Sequence, residues 1–209
     1  MPTIRAIVFD WYGVIWTFPG KFNSIVAAFL GVSLDEFECV YYRHNHLWNK
    51  GLVRDKRLAW RLVLDELGKS GKLDALMVFL ETQSLGKVDE RVVQFIGFLK
   101  TQGYKIGLLS NASFKNSAVM RRPEFMTLFD ASVLSYEVGY QKPEPQIFLA
   151  MAQRLGIDTS EFIFIDDSPK SLSTAKEVGY VPVLYQDLDG LTEQLVERGL
   201  LKEHPLHPV

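Results

Sequence analysis

Five short apolar runs punctuate this chain, and four of them end on a carboxylate or a serine: "IRAIVFD" (4–10), "YKIGLLS" (104–110), "DASVLS" (130–135) and "EFIFIDD" (161–167), followed by "YVPVLY" (180–185). Runs of this length with no polar face read as strands buried on both sides. Helical patterns separate the later ones. "VDERVVQFIGFLKTQG" (88–103) sets Val88, Val92, Phe95, Ile96 and Leu99 on one stripe and stops at Gly103. "PEPQIFLAMAQRLG" (143–156) and "SPKSLSTAKEVG" (168–179) each carry proline in the first turn and glycine at the end. Strand–helix alternation forces parallel pairing. The expected fold is therefore α/β, an open parallel sheet with helices on both faces and ligands beyond the carboxyl ends of its strands.

Residues 17–86 interrupt that alternation with several helical patterns and no convincing strand, among them "KFNSIVAAFLG", "SLDEFECVYYRHNHLWNKG", "RLAWRLVLDELG" and "LDALMVFLETQSLG". They are expected to form a helical cap inserted after the first strand, leaving 1–16 and 87–209 as the α/β core. "KEHPLHPV" (202–209) reads as a loosely held tail. With 47% hydrophobic residues in 209, the chain has ample material for a core. Twenty-three basic against 25 acidic residues leave no basic field for nucleic acid or anionic lipid. The partner expected is a small molecule, with the oligomeric state left open. The single cysteine, Cys39, excludes an internal disulfide and a cysteine zinc cluster and fits a reducing compartment. No signal-peptide pattern and no bilayer-length apolar run is present, so the expected location is cytoplasmic.

The strand ends bring Asp10, Ser110 with Asn111, and Asp166 with Asp167 to one edge of the sheet, with Lys142 at a helix start nearby. Taken one at a time, these residues fit a helix cap, a turn or a surface loop equally well. Taken together, three carboxylates and a lysine are accommodated most easily around a hard cation such as Mg²⁺.

Through "VFDWYGV", "GLLSNAS", "EVGYQKPEPQIF" and "FIFIDDSPKSLSTAKEVGY", the chain resembles the haloacid dehalogenase-like (HAD) hydrolase superfamily, with the four motifs in the family's order. The resemblance implies a Rossmann-like core, a helical cap of the type inserted after the first strand, and Asp10 as a nucleophile that becomes a covalent aspartyl intermediate. It also implies that Ser110 and Asn111 bind the transferred group and that Lys142 neutralises charge. Asp167, supported by Asp166, would hold Mg²⁺ with Asp10 and the backbone carbonyl of Tyr12. The activity implied is a Mg²⁺-dependent phosphatase of small, anionic phosphorylated metabolites.

Tyr12 departs from that pattern, because the family's phosphatases carry a second aspartate there as general acid and base, a contribution of about 10²–10⁴ in rate. A phenol, with an ordinary pKa near 10, is a poor base at neutral pH. L-2-haloacid dehalogenases resemble the chain at "FDWYG" and need no such aspartate. They use no metal, however, carry a threonine where Val14 stands, and would assign halide capture to a cap arginine, here Arg43. Two alternatives to the phosphatase thus stand: a dehalogenase, or a catalytically impaired HAD-fold binding or regulatory protein. "HNH" (44–46) reads as solvated or packing residues, because two histidines at i and i+2 do not share a helix face. Tyr41, Tyr42, Trp48 and Trp60 read as packing for the cap, and Arg121 and Arg122 as loop charges.

Overall fold

The computed structural model describes residues 3–18, 20, 22–82 and 86–202. Its elements, in chain order, are β1 (Ala6–Phe9), β2 (Trp16–Thr17), α1 (Phe22–Leu30), α2 (Leu34–Asn49), α3 (Lys56–Glu66), α4 (Leu73–Thr82), β3 (Lys87–Val88), α5 (Glu90–Thr101), β4 (Lys105–Ser110), α6 (Pro123–Met126), β5 (Ala131–Leu134), α7 (Ser135–Val138), α8 (Pro145–Leu155), β6 (Phe162–Asp166), α9 (Ala175–Val178), β7 (Val181–Leu184) and α10 (Leu188–Glu197).

Five strands form one sheet in the order β5-β4-β1-β6-β7, every pair parallel. The apolar runs are buried on both faces, and their period of two divides them between two cores. Ile7, Phe9, Ile106, Leu108, Ile163 and Ile165 pack with Phe95, Leu99 and Leu191 on the α5/α10 side. Ala6, Val8, Leu109, Phe162 and Phe164 pack with Ile147, Phe148 and Met151 of α8 on the other. Because Phe9 pairs with both Leu108 and Ile165, the ends of β1, β4 and β6 lie level, and the residues that follow them share one edge.

Helices α1 to α4 have an apolar core of their own around Val26, Leu30, Phe37, Val63, Leu64 and Leu76. Ser33 starts α2 by accepting the Glu36 amide, and Asp55 starts α3 by accepting those of Arg57 and Leu58. The chain enters and leaves this unit through β2 and β3, paired antiparallel at Trp16 with Val88 and Thr17 with Lys87. Where α2 ends, the unit touches the sheet domain by backbone. A Cβ at Gly51 would lie 2.6 Å from the Tyr136 carbonyl oxygen, and Gly51 holds φ +72°. Among the described residues, no helix is long and apolar enough to cross a membrane.

One expected helix is mostly not a helix. Of 168–179, only Ala175–Val178 is α-helical. Upstream, i to i+3 bonds run from Ser171, Leu172 and Ser173 back to Ser168, Pro169 and Lys170. The hydroxyls of Ser173 and Thr174 bond the carbonyls of Lys170 and Pro143, and such local side-chain partners compete with the helical ladder. Of the presumed tail, residues 203–209 lie outside the described residues, as do residues 83–85 of the fourth helical pattern.

Candidate active site

Asp10 extends the β1 ladder by one bond, its amide donating to the Ile165 carbonyl at 2.9 Å, so its side chain emerges at the sheet's carboxyl edge. The chain then turns sharply. Ile15 and Trp16 amides both return to the Trp11 carbonyl, and the Gly13 amide donates to the Trp16 carbonyl. Trp11 anchors this loop in the core, fully buried with its ring 5.3 Å from that of Phe125. None of these bonds uses the Tyr12 carbonyl.

Lys142 reaches the same edge from the loop between α7 and α8. It is 5% exposed, with Nζ 2.9 Å from Asp10 Oδ1 and 2.5 Å from Asp166 Oδ2. The contact to Asp166 is a directed hydrogen bond; the one to Asp10 is close but poorly aligned, so Asp10 Oδ1 has charge beside it and no hydrogen-bond partner. Asp166 spends its second oxygen on the Ser168 amide, 2.8 Å away. It thereby orients Lys142 as well as lining the site.

Asn111 has a different employment from the one expected. Its Oδ1 accepts the Lys142 amide at 2.8 Å and its Nδ2 donates to the Lys142 carbonyl at 3.2 Å. Both ends of the side chain therefore clamp the lysine's backbone, and what Asn111 can offer a ligand is its own main chain. Ser110 Oγ is fully buried without a partner among the described residues, which leaves it available to a ligand oxygen. Asp167 is exposed at the rim, packed against Gly13 so closely that a Cβ there would lie 2.2 Å from Asp167 Oδ2. Gly13, at φ +82°, satisfies both demands at once.

Oxygens of Asp10, Asp166 and Asp167 lie within 4.8 Å of one another. Burial, with Asp166 and Asp167 adding to it and Lys142 opposing, pushes the Asp10 carboxyl up from its ordinary 3.8 to about 7. Burial and Asp166 raise Asp167 as well. Burial alone would lower the Lys142 ammonium, but Asp10 and Asp166 outweigh it and hold the group above the usual lysine range. One lysine thus leaves the site with an excess of negative charge. Hard oxygen donors, an orphaned buried carboxylate oxygen and a Tyr12 carbonyl with no hydrogen bond among the described residues fit a Mg²⁺ ion.

The Tyr12 hydroxyl donates to the Asn116 carbonyl at 3.2 Å, and its ring stacks on Phe18 at 5.9 Å. Burial, with the Asp10 charge, pushes this phenol above its ordinary range. Arg43 is not brought to the cluster. Its guanidinium pairs with Glu66 and contacts Cys39, all on α2 and α3, and its side chain is 59% exposed. The loop charges behave as loop charges: Arg121 bonds Tyr136 and Glu137, and Arg122 pairs with Glu124.

Sequence reasoning missed Gly13, although the quoted "DWYG" contained it. It also missed Ser135, whose hydroxyl accepts the Ala112 amide at 3.0 Å and donates to its carbonyl at 3.2 Å, pinning the loop after β4. No local signal marks that serine.

A phosphatase of Mycobacterium tuberculosis is 27% identical over 214 residues, spanning 95% of this chain and 94% of that protein. A D-ribitol-5-phosphate phosphatase of Bacteroides thetaiotaomicron is 27% identical over 187 residues, 85% of this chain and 89% of its own. A HAD family enzyme of the same bacterium, solved with magnesium and inorganic phosphate, shares the fold at TM-score 0.65 and 23% identity, with 90% of this chain and 98% of that one covered. Residues 4–179 match the haloacid dehalogenase-like hydrolase family as a whole, and it is to that family that the chain belongs.

Proposed function

We propose that the chain is a Mg²⁺-dependent phosphatase of small phosphorylated metabolites, with α1–α4 as the cap over its site. The observation that carries this reading is the meeting of three carboxylates with one buried lysine at the edge of the sheet. Its similarity to two named phosphatases and to a fold mate holding magnesium and phosphate supports it. Asp10 attacks phosphorus and becomes the aspartyl-phosphate, and Lys142 holds the attacking oxygen while offsetting its charge. Ser110 Oγ and the main chain of Asn111 bind the phosphoryl oxygens. Asp10, Asp167 and the Tyr12 carbonyl, supported by Asp166, would hold the cation. When bound, Mg²⁺ supplies positive charge that lets the carboxylates and the phosphoryl group share the site.

Tyr12 favours a second reading, an L-2-haloacid dehalogenase, whose chemistry needs no carboxylate at that position. Against it stand the crowding of Asp166 and Asp167 beside the position of an anionic substrate, and the engagement of Arg43 elsewhere. Hydrolysis of p-nitrophenyl phosphate that requires Mg²⁺ and vanishes in Asp10→Asn is the expected result. Metal-independent release of chloride from 2-chloropropionate, with no phosphatase activity, replaces the first reading by the second.

A further inference from the structure

Helix α2 makes contacts with the loops on both flanks of the site. On the β6 flank, Lys170 Nζ lies 5.7 Å from the ring centroid of Tyr42, whose hydroxyl also feels the charge of Asp167. On the other flank, Lys50 Nζ lies 2.5 Å from Glu144 Oε1, two residues beyond Lys142. His46 is four residues from each. At about 100° and 1.5 Å per residue, it projects midway between Tyr42 and Lys50, roughly 6 Å along the axis from either. That direction is opposite the stripe of Phe37, Val40, Tyr41 and Trp48 that packs the helical core. Glu144 is part of the same surroundings. Burial would raise its carboxyl, yet it is held below its usual range by Lys50 and the Gln141 amide, with the charge of His46 contributing. The His46 side chain is half-buried and makes no hydrogen bond among the described residues. His44, two residues earlier, points the other way and meets Glu66 at 2.6 Å.

The geometry points to His46 as the general acid and base of this site, acting from the cap where the family's phosphatases use an aspartate that Tyr12 replaces. The inference rests on the phosphatase reading. Tyr12 directs its proton to the Asn116 carbonyl, whereas His46 lies between Tyr42 and Lys50, whose partners Lys170 and Glu144 follow Asp167 and Lys142 by three and two residues. Imidazole is the side chain that can give and take a proton near neutral pH. As Asp10 forms its bond to phosphorus, the bond from phosphorus to the leaving oxygen breaks, and that oxygen takes the proton from the His46 imidazolium and departs as an alcohol. Water then attacks phosphorus while the neutral imidazole accepts its proton. The bond from phosphorus to Asp10 breaks, inorganic phosphate leaves, and both residues return to their starting forms.

Leaving-group dependence tests the assignment, because kcat/KM reports the steps up to departure of the alcohol and p-nitrophenolate departs without a proton. The Mg²⁺-loaded wild type, His46→Ala and His46→Gln are compared on p-nitrophenyl phosphate and on glycerol phosphate, with far-UV circular dichroism to confirm folding. Both variants are expected to lose about 10²-fold or more in kcat/KM on the alkyl ester and less than about tenfold on the aryl ester. Adding Tyr12→Asp to His46→Ala is expected to restore alkyl turnover in part. Equal losses on the two substrates, or no loss, overturn the role of His46. So does a wild type that hydrolyses the aryl ester and leaves the alkyl ester untouched. A wild type inert to both overturns the phosphatase reading, and the inference falls with it.

Discussion

Neutralising Asp10 is expected to stabilise the protein when no metal is present. Asp10 is 6% exposed, and burial, helped by Asp166 and Asp167 and opposed by Lys142, lifts its carboxyl from 3.8 to about 7. A carboxyl raised in the folded state contributes stability that is complete below its unfolded value and lost as pH rises through its folded value. For Asp10 the loss therefore runs from about pH 4 to beyond pH 7. At 1.36 kcal/mol per pH unit, the full span amounts to about 4 kcal/mol. An asparagine amide meets Lys142 less well than a protonated carboxyl does, so the expected gain in Asp10→Asn at pH 8 is about 2 kcal/mol. For a chain of this size that raises Tm by about 4–8 °C. Thermal unfolding in EDTA at pH 5 and pH 8 measures it: the variant should melt above the wild type, with the larger gap at pH 8. Magnesium should then raise the wild-type Tm and leave the variant unmoved, since only a state that binds the ion gains from it. A variant that melts at or below the wild type at pH 8 in EDTA would refute the reasoning, because the site would then not be overcharged.

Two further perturbations probe how the site is held. Gly13→Ala combines φ +82° with a Cβ placed 2.2 Å from Asp167 Oδ2; stability should fall by about 1–2 kcal/mol and the Mg²⁺ affinity seen by calorimetric titration should weaken. An unchanged titration would show that Gly13 does not set the position of Asp167. Lys142→Met leaves Asp10 and Asp166 facing each other without their cation, and urea unfolding at pH 8 should report a loss of about 3–5 kcal/mol. A loss below about 1 kcal/mol would mean that the two carboxylates take up a proton in its place.

The fold was readable where a sequence pattern had a single physical solution. Apolar runs such as "AIVF" and "FIFID" can be buried on both faces only in the middle of a parallel sheet, and that sheet forms. Segment 168–179 misled because proline and glycine were read as a helix start and stop, while its serines and threonine had nearer backbone partners. At the site, Asp10, Ser110 and Asp166 were legible because strand ends must share an edge, and Lys142 because it precedes a helix start beside that edge. The employment of Asn111 was not, since its partner lies 31 residues away and is a backbone that only the fold brings close. Arg43 was proposed from position alone, and nothing in one sequence shows that Glu66 on the neighbouring helix claims it. The two histidines were rightly separated by helix face, but a face has meaning only once its neighbour is known. His44 meets Glu66, whereas His46 lies on the helix face that carries Tyr42 and Lys50, which meet Lys170 and Glu144.

The seat of Gly51 on the Tyr136 carbonyl has a consequence for how such a protein can diversify. The helical unit meets the sheet domain there main chain to main chain, at a position that admits no side chain. Substitutions at the positions of α2 leave that main-chain contact in place. New substrates would be reached by altering what hangs from that helix, with its anchorage conserved.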